Sequence, residues 1–189
     1  QSGHLANIGY DLYCKLLEEA VLEAQGEAPK LNRDIETRMD VHVNAYLPNG
    51  YVTGDKQRLE VYKRIASITT AAQRDDVEEE LVDRFGDEPL CVANLVAVAY
   101  LKAMCEKLGI DRVNQADGRI DMRFALNAQV DGLCRDVCAR TGFDKRLTLN
   151  AAPPVTLTLR DQTLNREDLL MLCVKVMERL LARMELSAA

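Results

Sequence analysis

QRLEVYKRIASITTAAQRDDVEEELVDRFGDEP, residues 57–89, carries two helical repeats and a stop in one run. Leu59, Tyr62, Ile65 and Ala66 recur at helical spacing. Beyond a Thr69-Thr70-Ala71-Ala72 link, Val77, Leu81 and Phe85 recur every four positions. Two amphipathic helices are therefore expected. On the second, Asp76, Glu79, Glu80 and Asp83 are expected on the side away from Val77, Leu81 and Phe85, a carboxylate face without a lysine. Gly86 suits a C-terminal cap and Pro89 the first turn of a third helix, so both ends of the acidic helix are set by local chemistry.

That third helix is expected over 89–108, apolar on most faces and central to the domain, with Gly109 ending it. Its apolar run, 90–101, is interrupted by Asn94 and falls short of the roughly 18–20 residues that a membrane helix needs. Upstream, residues 10–25 carry a broad stripe of Leu12, Tyr13, Leu16, Leu17, Ala20 and Val21, a helix stopped by Gly26 and Pro29. Residues 28–37 read as linker. Met39, Val41, Val43 and Ala45 alternate with Asp40, His42 and Asn44 as a strand, before Leu47-Pro48-Asn49-Gly50 turns the chain.

Beyond Gly109 the period changes. Segments 112–114 and 119–124 flank Ala116-Asp117-Gly118 as a hairpin, and Asn127 caps an expected helix over 128–141. Short strands follow at 146–150 and 155–160. The alternation in the second implies one buried face and one wetter face. Asn165 caps a last helix running to Arg183. The expected fold class is α+β, with helices packed against a small mixed or antiparallel sheet.

Composition agrees with a small domain that has a core. A chain of 189 residues, 48% of them hydrophobic, is long enough to bury about 70% of the surface its unfolded form exposes. The formal charge of -6 argues against a general phosphate-binding surface. The start has no basic segment followed by an apolar core of the signal-peptide kind, so a cytoplasmic location is the expectation.

Catalytic signatures are missing. No Gly-rich segment ends in Gly-Lys-Ser or Gly-Lys-Thr, and no Gly-x-Ser-x-Gly elbow occurs. His42, on an alternating strand, reads as a solvent-side residue. Of six cysteines, Cys14, Cys91, Cys105 and Cys173 sit among apolar neighbours as small hydrophobes. Cys134 and Cys138 share a helical face, but His4 and His42 stand at no ligand spacing from them. Asp75-Asp76 and the carboxylates after them most often make a wet helix face; a partner-binding face and, last, a catalytic or metal pair are the other readings.

Arg58-Leu59-Glu60-Val61-Tyr62-Lys63-Arg64-Ile65-Ala66 and Glu78-Glu79-Glu80-Leu81-Val82-Asp83-Arg84-Phe85-Gly86 resemble the RLxxYKRIA and ExELxDRFG helices of the C-terminal domain of the bacterial transcription-repair coupling factors. Gln1-Ser2-Gly3-His4 and Ile8-Gly9-Tyr10-Asp11-Leu12-Tyr13 resemble the end of that family's DNA translocase module. The likeness is strong over residues 9–109 and weaker from Ile110. It implies that residues 1–36 are the translocase tail, connecting helix and linker, and that 37–189 are the C-terminal regulatory domain. It further implies a non-enzymatic piece with no cofactor of its own, ATP and magnesium serving the motor of the parent protein.

By the same resemblance, the acidic helix presents a Glu and, three residues on, an Asp to arginines of an N-terminal module similar to the B component of the excision nuclease. In this sequence those are Glu80 and Asp83, with Asp76 and Glu79 extending the face. The clasp would mask the surface that recruits the A component of the excision nuclease until the parent engages a stalled RNA polymerase. The contrasting expectation is a nucleic-acid-binding accessory module using Arg58, Lys63, Arg64 and Arg74. It requires those side chains on one surface clear of the acidic helix, whereas the autoinhibitory reading expects weak direct DNA binding or none. Arg135, Arg140, Lys145 and Arg146 read either as a second partner surface or as solvated charge.

Overall fold

A computed structural model of the chain describes residues 35–125 and 143–188. The helices expected over 10–25 and 128–141, with His4, Cys14, Cys134, Arg135, Cys138 and Arg140, lie outside the described residues. The described residues form two compact units: residues 43–100 in the first, and 35–42 with 101–125 and 143–188 in the second.

In the first unit, α1 spans Asp55–Ala66 and buries Val61, Tyr62 and Ile65. α2 spans Ala71–Phe85 and buries Val77 and Leu81. The Thr70 hydroxyl oxygen accepts from the Gln73 N–H at 3.2 Å, which satisfies one of the orphan donors of the first turn. Gly86 closes α2 at φ 84°, a left-handed conformation in which any larger residue would be strained. α1 and α2 pack together, and α3 follows over Leu90–Leu108, within one residue of its expected start.

The strand expected from Met39 to Ala45 is shorter than its alternation suggests. Only Arg38–Asp40, β1, joins a sheet. The in-and-out pattern still continues, with Val43, Ala45 and Leu47 buried and His42, Asn44 and Tyr46 exposed. What changes is the partner of the backbone. The His42 N–H donates to Oε1 of Gln115 at 2.9 Å. Nδ2 of Asn94 donates to the Asn44 carbonyl at 2.9 Å, and the Leu47 N–H donates to the Tyr62 hydroxyl oxygen at 3.1 Å. Side chains take over these three backbone groups, and the Tyr46 N–H donates to the Cys91 carbonyl at 3.2 Å, in place of a strand ladder.

The second unit is built on a five-stranded mixed sheet of order β1-β2-β3-β5-β4. Its further strands are β2 (Ile110–Ala116), β3 (Arg119–Phe124), β4 (Leu147–Asn150) and β5 (Thr156–Arg160). β1 runs parallel to β2 and every other pair is antiparallel. Gly118, at φ 66°, turns the β2–β3 hairpin. A bulge between Ile110 and Arg112 lets Ile110 and Val113 both face inward although they are three residues apart.

The inward face carries Met39, Val113, Ile120, Met122, Leu157 and Leu159, each stabilising the fold by about 1.5–3 kcal/mol through burial. α4, Arg166–Ala188, packs on β3 and buries Leu169, Leu170, Cys173, Met177 and Leu180. Oδ1 of Asn165 accepts from the Asp168 N–H at 2.7 Å, the expected cap, and the helix runs past Arg183. β5 departs from the expected wet face, because Thr158 is buried as well as Leu157 and Leu159. β5 lies between β3 and β4, and the Thr158 hydroxyl donates to Oδ1 of Asp121 at 2.8 Å. The fold is α+β, helices against a small mixed sheet.

Candidate functional site

The acidic helix α2 divides its carboxylates between two environments. Asp75, Asp76, Glu79 and Asp83 are exposed, as expected from their angular distance to Val77 and Leu81. Val82, 46% exposed, shares that outward face and is an apolar centre among the charges. Glu80 differs. It sits at the edge of the helix that faces α1, where Oε1 accepts from Nη1 of Arg84 at 2.6 Å and Oε2 from Nε of Arg64 at 3.2 Å. The expectation that Glu80 lies wholly on the solvent side is therefore corrected: Val77, Leu81 and Phe85 claim a broad stripe of the helix, and Glu80 borders its packed side.

Between α1 and α2 the same residues line an open groove of about 220 Å³. Val61, Val77 and Leu81 form its floor, and Glu60, Arg64, Glu80 and Arg84 its rim. The hydrogen bond from Arg84, aided by Arg64, holds the Glu80 carboxyl below the usual carboxylate range. Glu80 thus stays ionised while being already ligated by two guanidinium groups. Its bond to Arg84 is legible as an i,i+4 pair; its bond to Arg64, sixteen positions away on another helix, is not.

Two of the basic side chains of the contrasting reading, Arg64 and Arg74, are not clear of this helix. Arg64 is bonded to it, and Arg74 lies on it, paired with Asp75 at 2.7 Å and stacked 5.0 Å from the Tyr100 ring centroid. Nη1 of Arg58 donates to the Leu47 carbonyl at 2.6 Å, a structural tie. Arg146 is held by Asp144 and Asp161, each at 3.2 Å. His42 is exposed on the extended segment. Among the described residues no group of three or more His, Cys, Asp or Glu is arranged to hold a metal ion, and no helix is long and apolar enough to cross a membrane. Cys105 and Cys173 are buried free thiols. Burial pushes the Cys173 thiol up to about 12, which leaves it a packing group rather than a nucleophile.

One titratable group beside α2 was not singled out by sequence reasoning. Glu88, between Gly86 and α3, has a buried Oε1 with no hydrogen-bond partner. Burial, and then the charge of Glu78 on α2, pushes its carboxyl up to about 7. Close by, the Tyr51 hydroxyl lies 3.2 Å from the carbonyls of both Leu81 and Gly86 and shares its proton with the end of α2. Because the folded-state value is above the ordinary 4.5, the folded chain holds this proton more tightly than the unfolded one. Stability contributed by the neutral form is present below 4.5 and is lost as pH rises to about 7. Glu88→Gln is therefore expected to match the parent at pH 5 and to exceed it by about 1–2 kcal/mol at pH 8, discounted for partial exposure. Urea unfolding at the two pH values checks this; equal differences at both would refute it.

With this geometry in view, comparison with known proteins finds a match to the TRCF domain over residues 41–133. The chain is 31% identical over 134 residues to the transcription-repair-coupling factor of Bacillus subtilis, covering 70% of this chain and 11% of that protein. It is 30% identical over 179 residues to the transcription-repair-coupling factor of Staphylococcus aureus strain USA300, covering 93% of this chain and 15% of that protein. The crystal structure of the C-terminal domain of a transcription-repair coupling factor is similar in fold, with a TM-score of 0.66 at 24% identity, covering 80% of this chain and 95% of that one. The chain thus spans only 11% to 15% of the length of these two relatives.

Proposed function

The chain is homologous in sequence and structure to the C-terminal TRCF domain of transcription-repair coupling factor, and on that premise we propose that it is an autoinhibitory protein-interaction domain. The parent in this reading is an ATP-driven DNA translocase of transcription-coupled nucleotide excision repair. Residues 37–189 form the regulatory domain and residues 1–36 the end of the translocase with its linker. The observation that carries the reading is the exposed carboxylate face of α2, Asp76, Glu79 and Asp83 beside the half-exposed Glu80, within the helix whose sequence matches the family.

The partner is the parent's own N-terminal module, similar to the B component of the excision nuclease, offering guanidinium groups. A planar guanidinium fork and a carboxylate make paired, charge-assisted bonds, and two carboxylates one helical turn apart meet one surface. Engagement of RNA polymerase and DNA competes this clasp away and uncovers the surface that recruits the A component of the excision nuclease. ATP and magnesium belong to the motor and not to this domain, and the location is cytoplasmic. Binding of this chain to the separately expressed N-terminal module tests the proposal, and absence of binding at low salt rejects it.

The ligation of Glu80 adds a requirement to this mechanism. A partner guanidinium can take Oε2 only by displacing Arg64 or sharing the oxygen with it. Arg64→Ala removes that competitor and leaves the Arg84 bond in place, so it is expected to strengthen association with the N-terminal module severalfold, by up to about 1 kcal/mol. Calorimetric titration of the two separate pieces reads the change. Weaker association would mean that Arg64 positions Glu80 for the partner instead of competing for it.

A further inference from the structure

The outward face of the sheet carries its charge in rows. The strand register sets Arg38 of β1, Arg112 of β2 and Arg123 of β3 side by side across three adjacent strands. Two residues along, the row reads Asp40, Asn114, Asp121 and Thr158. Beyond it, Arg119 of β3 stands opposite Arg160 of β5. Neighbouring strands are about 4.8 Å apart, and like charges directly opposite one another destabilise a sheet. Folding alone does not favour such a row of arginines.

Part of the charge is answered locally. The bulge projects Asp111 beside Arg123, which holds it through two bonds of 2.9 and 2.8 Å, and Asp121 holds Arg119 at 2.9 Å. Arg38, Arg112 and Arg160 are exposed and make no ion pair among the described residues. Arg38 has a structural purpose, since charge on an edge strand discourages pairing with another sheet. That reason does not extend to Arg112, which lies on an interior strand with an arginine on each side.

We propose that this face is a docking surface for a carboxylate-bearing protein segment, with Arg112 at its centre. An unpaired guanidinium recognises a carboxylate through a planar fork, and the exposed Arg38 beside it adds to the local positive potential. The row containing Asp40 and Asp121 lies between the two arginine rows. It penalises a uniform polyanion such as nucleic acid, whereas a protein segment sets its carboxylates singly and avoids it. None of the outward residues in these rows is aromatic, so the face has no platform on which bases stack. No residue of α2 takes part, and the surface stands independently of the clasp.

The test uses the whole chain with two fluorescent probes at low salt, a short peptide alternating glutamate with serine and a single-stranded oligothymidylate. The chain is expected to bind the peptide more tightly than the oligonucleotide. Arg112→Gln is expected to weaken peptide binding about tenfold or more. Its urea midpoint is expected to be unchanged or higher, because a like-charge neighbour has been removed from the row. Three results would overturn the proposal: no peptide binding by the parent chain, tighter binding of the oligonucleotide, or a fall in the urea midpoint of Arg112→Gln. The last would assign the arginine to the fold.

Discussion

Replacing Glu80 and Asp83 together with alanine is expected to leave the domain folded while weakening its association with the N-terminal module by about 2–5 kcal/mol, roughly thirtyfold or more. Asp83 is exposed, and its loss is expected to change stability by no more than about 0.5 kcal/mol. Glu80 contributes more to the domain than a free surface carboxylate. Its removal strands the guanidinium groups of Arg64 and Arg84, both of which water can reach, so its own cost is expected near 1 kcal/mol. The binding loss is larger because the partner's cations would be left partly desolvated without a counter-charge.

Circular dichroism with urea unfolding reads the first quantity, and titration against the N-terminal module the second. In the full-length parent, the same double substitution is expected to raise binding of the A component of the excision nuclease without polymerase. Unchanged values in both binding assays would remove Glu80 and Asp83 as the clasp. Loss of cooperative unfolding would show instead that the Arg64–Glu80–Arg84 bridge is required for the fold of the first unit.

Gln115→Ala is expected to destabilise the second unit by about 2–4 kcal/mol although it deletes only a polar side chain. Gln115 is 1% exposed and stands on the inward face of β2, among apolar neighbours. Its Oε1 accepts from the His42 N–H at 2.9 Å, and its Nε2 donates to the Arg166 carbonyl at 2.8 Å. One side chain thus serves the backbone of the segment leaving β1 and that of the first residue of α4. Truncation loses both bonds: the His42 N–H loses its protein partner, while the Arg166 carbonyl keeps its place in the ladder of α4. Urea denaturation, with the slope compared between variants, measures the cost, and hydrogen exchange at the His42 amide locates it. A change below about 0.5 kcal/mol would show that water replaces the glutamine at no penalty.

The acidic helix was legible in detail because its determinants are local. The four-residue spacing of Val77, Leu81 and Phe85 and the closing Gly86 act within one or two turns; the helix start was missed, since Thr70 is the N-cap and Ala71-Ala72, read as link, form the first turn. The β2–β3 hairpin and the Asn165 cap of α4 were legible for the same reason. The strand expected at Met39–Ala45 was half right. Alternation reports which side chains are buried, and Met39, Val43 and Ala45 are, with Val41 partly so; it does not report whether a neighbouring strand supplies the hydrogen bonds.

The order of the described helices and strands, the α+β class and the acidic character of one helix face were in the sequence, since capping, periodicity and charge are properties of neighbours along the chain. The tertiary structure alone decided that Glu80 is shared between Arg64 and Arg84, that Glu88 keeps a buried unpaired oxygen, and that Arg38, Arg112 and Arg123 form one row. Each depends on groups brought together from distant positions by packing or strand register. A carboxylate's availability to a partner is set by which cations the fold has already placed beside it, and that information is absent from the spacing of the carboxylates themselves.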